Sequence, residues 1–377
     1  LSRTYDAIVV GAGIVGTACA WELARSGMRV LVVDRGPAGG GATAAGMGHL
    51  VVMDDSEAQF ALTFYSRRLW HELGDALPAD VEFQRCGTLW IAADEDEMAE
   101  VARKAAFARQ RGVRVEALDS RAVAEAEPNL RPGMAGALRV PDDVVIYPPC
   151  AARYFLERAR SHGAESMLNT PVRALRPEGG VVLADGTAIE ARFGVNAGGS
   201  WSPELTPGLP VRPRKGHLII TDRYPGFARH QLVELGYLKS AHSVASDSVA
   251  FNLQPRKTGQ MLLGSSRQFD ALDDRVEMGM LDRMIRRAQE YVPGIADLNI
   301  IRCWTGHRAA TPDKLPLIGP SLTSERIWQA TGHEGLGITT CLGTARLLAD
   351  TMLGRATQID HEPYLPGRFA AGAAHDG

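Results

Sequence analysis

The sequence predicts an α/β fold with a second, α+β lobe carrying a mixed sheet inserted into it. Three observations lead there. Residues 5–34 read as strand, glycine turn, helix, strand and acidic end. Two later stretches, 164–202 and 302–353, return to apolar strand and glycine turn. Between them, 211–301 is strand-rich and interrupted by one helix from about 277 to 292.

In the first element, the apolar run Ala7-Ile8-Val9-Val10 meets Gly11-Ala12-Gly13-Ile14-Val15-Gly16, and apolar residues continue at helical spacing through Ala20, Leu23 and Ala24. A second apolar run, Val30 to Val33, ends at Asp34 and Arg35. Each residue type has a physical task in a dinucleotide-binding βαβ unit. Gly11 permits the sharp turn, Gly13 lets the backbone approach a pyrophosphate, and Gly16 lets helix and strand pack closely. The first helical N–H groups, at Ile14 and Val15, then face the phosphates. Asp34 lies 18 residues after Gly16, where a carboxylate accepts ribose hydroxyls. With strands on both sides and the acid in place, this is a Rossmann-type unit rather than a glycine turn in an ordinary α/β domain.

Residues 36–48 follow at once and are rich in glycine and alanine, with Thr43, Ala44, Gly46 and Met47 toward the end. A surface linker would account for the composition. The position directly after the ribose-binding acid favours a second cofactor turn, whose small side chains let a large ligand lie against the backbone.

Apolar positions at 58, 61, 62, 65, 69 and 73 predict an amphipathic helix over 57–73. Residues 83–92 have strand character with Gly87 inside. Asp94, with Glu97 three residues on, caps a helix running to Gly112. Asp119 caps a shorter one that Pro128 ends, and Pro148 lies in the first turn of a helix to about His162. Residues 168–172 read as strand and loop, and 181–189 as a hairpin about Asp185-Gly186. Residues 192–202 are an apolar strand entering the turn Asn196-Ala197-Gly198-Gly199-Ser200-Trp201.

In the last third, Thr305 to Pro320 reads as a loop into a strand, and 327–331 as a strand. Gly332-His333-Glu334-Gly335-Leu336-Gly337-Ile338 then opens a helix that Gly354 stops. A helix start presents N–H groups and a positive dipole end. With the pyrophosphate already placed at 11–16, this second one faces a different negative charge.

Composition narrows the function classes. At 377 residues the chain holds two or three modest domains or one large domain with an insertion, and 45% hydrophobic residues suffice for a core. A net charge of −3 argues against nucleic acid or anionic membrane as a global partner. No run approaches the roughly 18–20 apolar residues of a membrane span. Residues 1–6 lead straight into the first strand and leave no room for a signal peptide, so the cytoplasm is the expected location, with peripheral membrane association as the alternative. Five cysteines, widely spaced and without a CxxC pair, predict reduced thiols and no metal or cluster site.

The ordered set of motifs is more specific than any one of them. The 11–16 fingerprint, the turn ending Ala45-Gly46-Met47, the 196–201 turn, the block Gly306-His307-Arg308…Thr311-Pro312-Asp313…Pro316…Gly319 and the Gly332-His333…Gly335…Gly337 turn together resemble the D-amino acid oxidase family of flavoproteins, from about Tyr5 to Leu353. Glycine oxidase, sarcosine oxidase β-type subunits, D-amino acid dehydrogenase and the β-type subunits of proline and D-hydroxyproline dehydrogenases belong to that family. The resemblance implies noncovalent FAD. It implies a GR2-like Rossmann-type FAD-binding domain made of 1–85, 145–210 and 302–365, a substrate domain of 86–144 and 211–301, and a flexible tail at 366–377.

Residue by residue, it implies that Gly11, Gly13, Ile14, Val15 and Gly16 hold the pyrophosphate and that Asp34, with Arg35 beside it, holds the adenosine ribose. Thr43, Ala44, Gly46 and Met47 would line phosphate, ribitol and flavin, and Val172 would meet the adenine by its backbone. Ala197, Gly198 and Trp201 would pack near the pyrophosphate and adenosine side, and Gly335, Leu336, Gly337 and Ile338 would meet the pyrimidine edge of the flavin. Arg308 matches the position that holds the substrate carboxylate, a role suited to a planar, permanently charged fork; a surface arginine in a loop is the alternative.

The implied activity is oxidation of an amine α to a carboxylate, by hydride transfer from the substrate α-carbon to flavin N5. The chemistry would centre on Arg308, Met47 and Gly337, with the helix start at Gly337 stabilising the anionic reduced flavin. The wording of 332–337 is nearer the dehydrogenase members. This implies a D-proline- or D-hydroxyproline-like substrate and electron-accepting partner subunits in a hetero-oligomer. A self-sufficient oxidase using O2 and a catalytically inactive FAD-binding subunit are the alternatives. Two departures bear on the substrate. Glu334, Gly335 and Leu336 stand where glycine oxidase carries an arginine, so a second cationic anchor is expected to be missing, and Asn252 stands where a substrate-contacting tyrosine is expected. His49, Tyr237, Asn252, His333 and Glu334 are the polar candidates near the substrate; for His49 and Tyr237 a structural role is favoured.

Overall fold

The computed structural model describes residues 5–53, 55–236, 247–269 and 271–369. The half that carries the 11–16 glycine turn is a six-stranded sheet in the order Leu317–Pro320, Ile327–Thr331, Ala191–Asn196, Tyr5–Val10, Val30–Val33, Glu165–Met167. All neighbours run parallel except the first pair. The apolar runs read from the sequence are its central strands, buried because both faces are covered. Side chains alternate between those faces. Ala7, Val9, Val30 and Val32 pack with helices Ile14–Arg25, Pro148–Ser161 and Gly337–Met352. Ile8, Val10, Leu31 and Val33 pack instead with Leu175, Val181 and Leu183 of a small antiparallel sheet, which contains the predicted hairpin at 181–189.

The helix Glu57–Leu73 has the predicted bounds but is buried on more than its apolar stripe, since Gln59, Thr63, Ser66 and Arg67 are also covered. Ser66 Oγ donates to the Thr339 carbonyl at 2.6 Å and accepts the Gly343 N–H at 3.0 Å, so the two helices approach to backbone distance. Arg67 pairs with buried Asp143 at 2.7 Å. The caps read from sequence also form: Asp94 accepts the Glu97 N–H and Asp119 the Ala122 N–H.

The second lobe is an eight-stranded mixed sheet in the order Ile300–Ala310, Arg212–Arg223, Gln260–Arg267, Ser248–Pro255, Gln231–Glu234, Thr88–Ala92, Gly136–Val140, Glu116–Asp119. The helix Met278–Gln289 packs against it over a core in which Phe251 and Tyr291 stack at 4.7 Å.

Four expectations are corrected by the structure. Residues 305–310 are not a loop. They belong to the strand Ile300–Ala310, paired along Arg212–Thr221, and that backbone ladder overrides the weak strand propensity of Gly306 and its polar neighbours. The strand sits in the eight-stranded sheet, so the expected domain boundary at 302 falls inside it, and the chain leaves this sheet after Ala310. The strand expected over 83–92 is only Thr88–Ala92, because Gly87 at φ +70 turns the chain just before it. The first residues of the tail expected over 366–377 are docked: Arg368 donates to Asp313 at 2.6 Å and to the Leu315 carbonyl at 2.7 Å, which holds 366–369. Residues 370–377 lie outside the described residues. All five cysteines are free thiols. No helix among the described residues is long and apolar enough to cross a membrane.

Candidate active site

A cavity of about 670 Å³ runs between the two sheets and is lined by both. The first glycine turn forms one end. Gly11 has φ +119, and a Cβ on it would collide with the Ala197 carbonyl; a Cβ on Gly16 would collide with the Gly11 carbonyl. These two positions are therefore glycine for steric reasons. Thr43 reaches over from the second glycine-rich turn and accepts the Ile14 N–H on Oγ1 at 3.0 Å, capping the first helix from outside it. Asp34 accepts the Ala12 N–H at 2.6 Å and the Gly36 N–H at 2.7 Å. Its carboxylate thus ties the two turns together, and its remaining lone pairs are available to ligand hydroxyls. The Arg35 guanidinium lies 4.0 Å from the Trp201 ring centroid, and both line this end with Val172, Ala197 and Gly198.

The middle of the cavity is a narrow slot. A Cβ on Gly46 would stand 2.6 Å from Ile338 Cδ1, and one on Gly306 would collide with the Ala45 methyl. Gly46 and Gly306 thus let the 45–47 turn pack closely against Ile338 at the start of the helix Gly337–Met352 and against the strand Ile300–Ala310. Gln254 fixes the 45–47 turn by donating to the Met47 carbonyl at 2.7 Å. Gly335, Leu336, Gly337 and Ile338 line the slot with Met47.

The eight-stranded sheet forms the far wall. Arg214, Gly216 and Leu218 come from one strand, Ser265 and Arg267 from the next, Gly306 and Arg308 from the edge strand. Period-two alternation puts each set on the cavity face. Arg308 donates from Nη1 to the Ser266 carbonyl at 3.0 Å, and its guanidinium lies where a Cβ on Gly216 would be. Arg214 and Glu334 form an ion pair in the wall, both side chains under one-tenth exposed. Glu334 holds its place with φ +53 and an N–H bonded to the Ala309 carbonyl at 2.8 Å.

Two of the named positions fall outside this arrangement. Ala44, the last residue of the single helical turn Gly41–Ala44, does not line the cavity, whereas Ala42 and Ala45 do. Tyr237 lies outside the described residues. Among the polar candidates, His333 lines the cavity but is buried, with Nε2 2.9 Å from Thr344 Oγ1, and burial pushes its pKa down to about 3. It is neutral and structural at ordinary pH. His49 is engaged by Thr88 Oγ1 at 2.7 Å and stands 3.6 Å from Asp143. Asn252 accepts from the Gln231 amide at the cavity wall. Glu334 is the partner of Arg214. Two further arginines, Arg214 and Arg267, reach the same cavity from strands that the sequence reading did not connect to it.

The model of the DAO family, described as FAD dependent oxidoreductases, matches residues 6–351. The chain belongs to this family. It is 30% identical to a glycine oxidase of Bacillus licheniformis over 383 residues, 96% of each chain, and 27% identical to a hydrogen cyanide synthase subunit of Pseudomonas aeruginosa, over 98% of this chain and 97% of that one. It superimposes on the crystal structure of glycine oxidase from Geobacillus kaustophilus with a TM-score of 0.87 at 27% identity, covering 97% and 99% of the two chains. This DAO-family chain is an FAD-dependent oxidoreductase acting on amino acids or amines. The cavity fits that cofactor. Glycines line it at the 11–16 turn, at Gly46 and Gly306 and at Gly335 and Gly337, so an extended dinucleotide has backbone free of side chains to lie against along its length.

Proposed function

We propose that this chain oxidises the C–N bond of an α-amino or secondary-amine acid whose carboxylate is held by Arg308. The observation that carries the reading is the placement of Arg308 on the sheet wall, oriented by the Ser266 carbonyl and facing the slot between Met47 and Gly337. FAD, when bound, supplies the two-electron acceptor. The protein's part is orientation: a bidentate arginine fixes the carboxylate, and the α-carbon is then presented toward the slot. Neither His333, neutral and bonded to Thr344, nor His49, held by Thr88, is placed as a base. In this reading the amine binds neutral, and its oxidised product is released for hydrolysis by water.

Within this reading, the substrate is D-proline- or D-hydroxyproline-like, and the electrons pass to a partner subunit. The hydrogen cyanide synthase subunit among the relatives supports a subunit role. The glycine oxidase relatives favour a second reading, in which O2 is the acceptor. Anaerobic mixing of the yellow holoenzyme with a panel of amino acids tests the chemistry: at least one must bleach the flavin. Readmitting O2 then separates the acceptors. One peroxide per turnover at the catalytic rate identifies an oxidase, whereas slow reoxidation by O2 with fast turnover on a dye acceptor identifies a dehydrogenase.

A further inference from the structure

We infer that the substrate carries an oxygen on its side chain, beyond the α-carbon, and that Asn252 donates a hydrogen bond to it; this rests on the amino acid reading above. The orientation of one amide carries the argument. Gln231, on the strand beside Ser248–Pro255, is fully buried and donates from Nε2 to Asn252 Oδ1. That bond occupies the Asn252 oxygen. Asn252 is itself half-buried and lines the cavity. Among the described residues its amide nitrogen has no partner, so what Asn252 offers the cavity is a donor.

Its neighbours narrow what that donor recognises. Asn252 pairs with Val233 on one side and with Gly264 on the other. Val233 lines the cavity, and a Cβ on Gly264 would stand 2.9 Å from Met47 Sδ. The amide is thus set between two apolar side chains, an arrangement that suits one oxygen on an otherwise apolar body. Strand order supplies the reach. Arg308 leans over Gly216 of the strand Arg212–Arg223, and Asn252 stands two strands from there, about 10 Å by the ordinary strand spacing. An amino acid whose carboxylate is held by Arg308 therefore turns its side chain, not its carboxylate, toward Asn252. A hydroxyl answers the donor. An apolar side chain of the same shape leaves it desolvated and unpaired, which counts against that substrate.

The test uses the FAD-loaded enzyme. First, 3- and 4-hydroxybutyrate are titrated against it alongside butyrate while the flavin absorbance is followed. At least one hydroxylated acid is expected to perturb the spectrum at a concentration about 10-fold or more lower. Second, anaerobic flavin reduction is compared between serine and alanine, threonine and valine, and 4-hydroxyproline and proline, in both enantiomers. The hydroxylated member of at least one pair is expected to lead in kcat/KM by about 10- to 100-fold, and Asn252→Leu to bring that ratio toward one. Equal titration by all three acids with equal rates within every pair overturns the inference and leaves the amino acid reading standing. So does a lead that survives Asn252→Leu, or a lead of 2,3-diaminopropionate over serine, which would mean that Asn252 faces the cavity with its oxygen. Bleaching by no amine at all overturns the amino acid reading, and this inference with it. Should Asn252→Leu fail to fold, the paired comparisons on the unaltered enzyme still decide.

Discussion

Arg308 and Ser266 are joined across a glycine: Nη1 donates to the Ser266 carbonyl at 3.0 Å, over Gly216 on the strand between them. Ser266 is itself held, since its Oγ lies 2.8 Å from the His217 N–H and 3.0 Å from His217 Nδ1, and the Glu277 N–H donates to the other ring nitrogen at 3.1 Å. The guanidinium is aimed by a chain of bonds that ends outside the cavity. A methyl at 216 meets only the flexible end of Arg308. Gly216→Ala should therefore fold and bind FAD normally, while kcat/KM on the best amino acid falls about 10- to 100-fold because the carboxylate fork is displaced. Steady-state kinetics on enzyme normalised by flavin absorbance checks this.

The Arg214–Glu334 pair is almost fully buried, so removing one partner strands the other. Arg214→Met should cost about 3 kcal/mol or more in denaturant unfolding. The double variant with Glu334→Gln should lose less than the sum of the two single losses, since the stranded charge is gone.

Asp34 holds the Ala12 and Gly36 N–H groups at 2.6 and 2.7 Å. An amide in its place keeps one acceptor oxygen and turns a donor toward one of those N–H groups. Asp34→Asn should weaken FAD retention by about 10-fold or more, read as cofactor lost on dialysis, with the secondary structure measured by circular dichroism retained.

Burial lowers the pKa of His333 from its ordinary 6.5 to about 3, and moves those of His217 and His361 in the same direction. In the unfolded chain each takes up a proton near pH 6.5, whereas folded His333 does not until about pH 3. The unfolded state therefore binds more protons in that window, and stability falls as pH drops through it, by up to about 1.4 kcal/mol per pH unit for each such histidine. Urea midpoints at pH 7.5, 6.0 and 5.0 should decline, and His333→Gln should flatten the decline.

Local signals were legible wherever a short-range rule decides the structure. The glycine turn at 11–16, the acid at 34, the caps at Asp94 and Asp119 and the helix over 57–73 all rest on neighbours close in sequence. The far wall of the cavity does not. Arg214 and Arg267 are 53 residues apart in the chain. They share a face only because two strands pair in one register, and a slip of one residue would send either arginine to the opposite face. The alternation Arg212-Pro213-Arg214-Lys215-Gly216 was a usable signal once 212–223 was taken as a strand. Ile300–Ala310 was hidden for the opposite reason: glycine and polar residues suit a loop locally, and only the ladder with Arg212–Thr221 makes them a strand. Ala44 was misplaced because the single helical turn at Gly41–Ala44 rotates it away from its neighbours.

The role of Arg308 as the carboxylate anchor is central to the proposed chemistry. The direct measurement is rapid mixing of Arg308→Ala with subsaturating amino acid under anaerobic conditions, following loss of the yellow flavin band. Normal FAD content is expected, with bleaching slowed about 100-fold or more relative to the unaltered enzyme. Bleaching at the unaltered rate would contradict it.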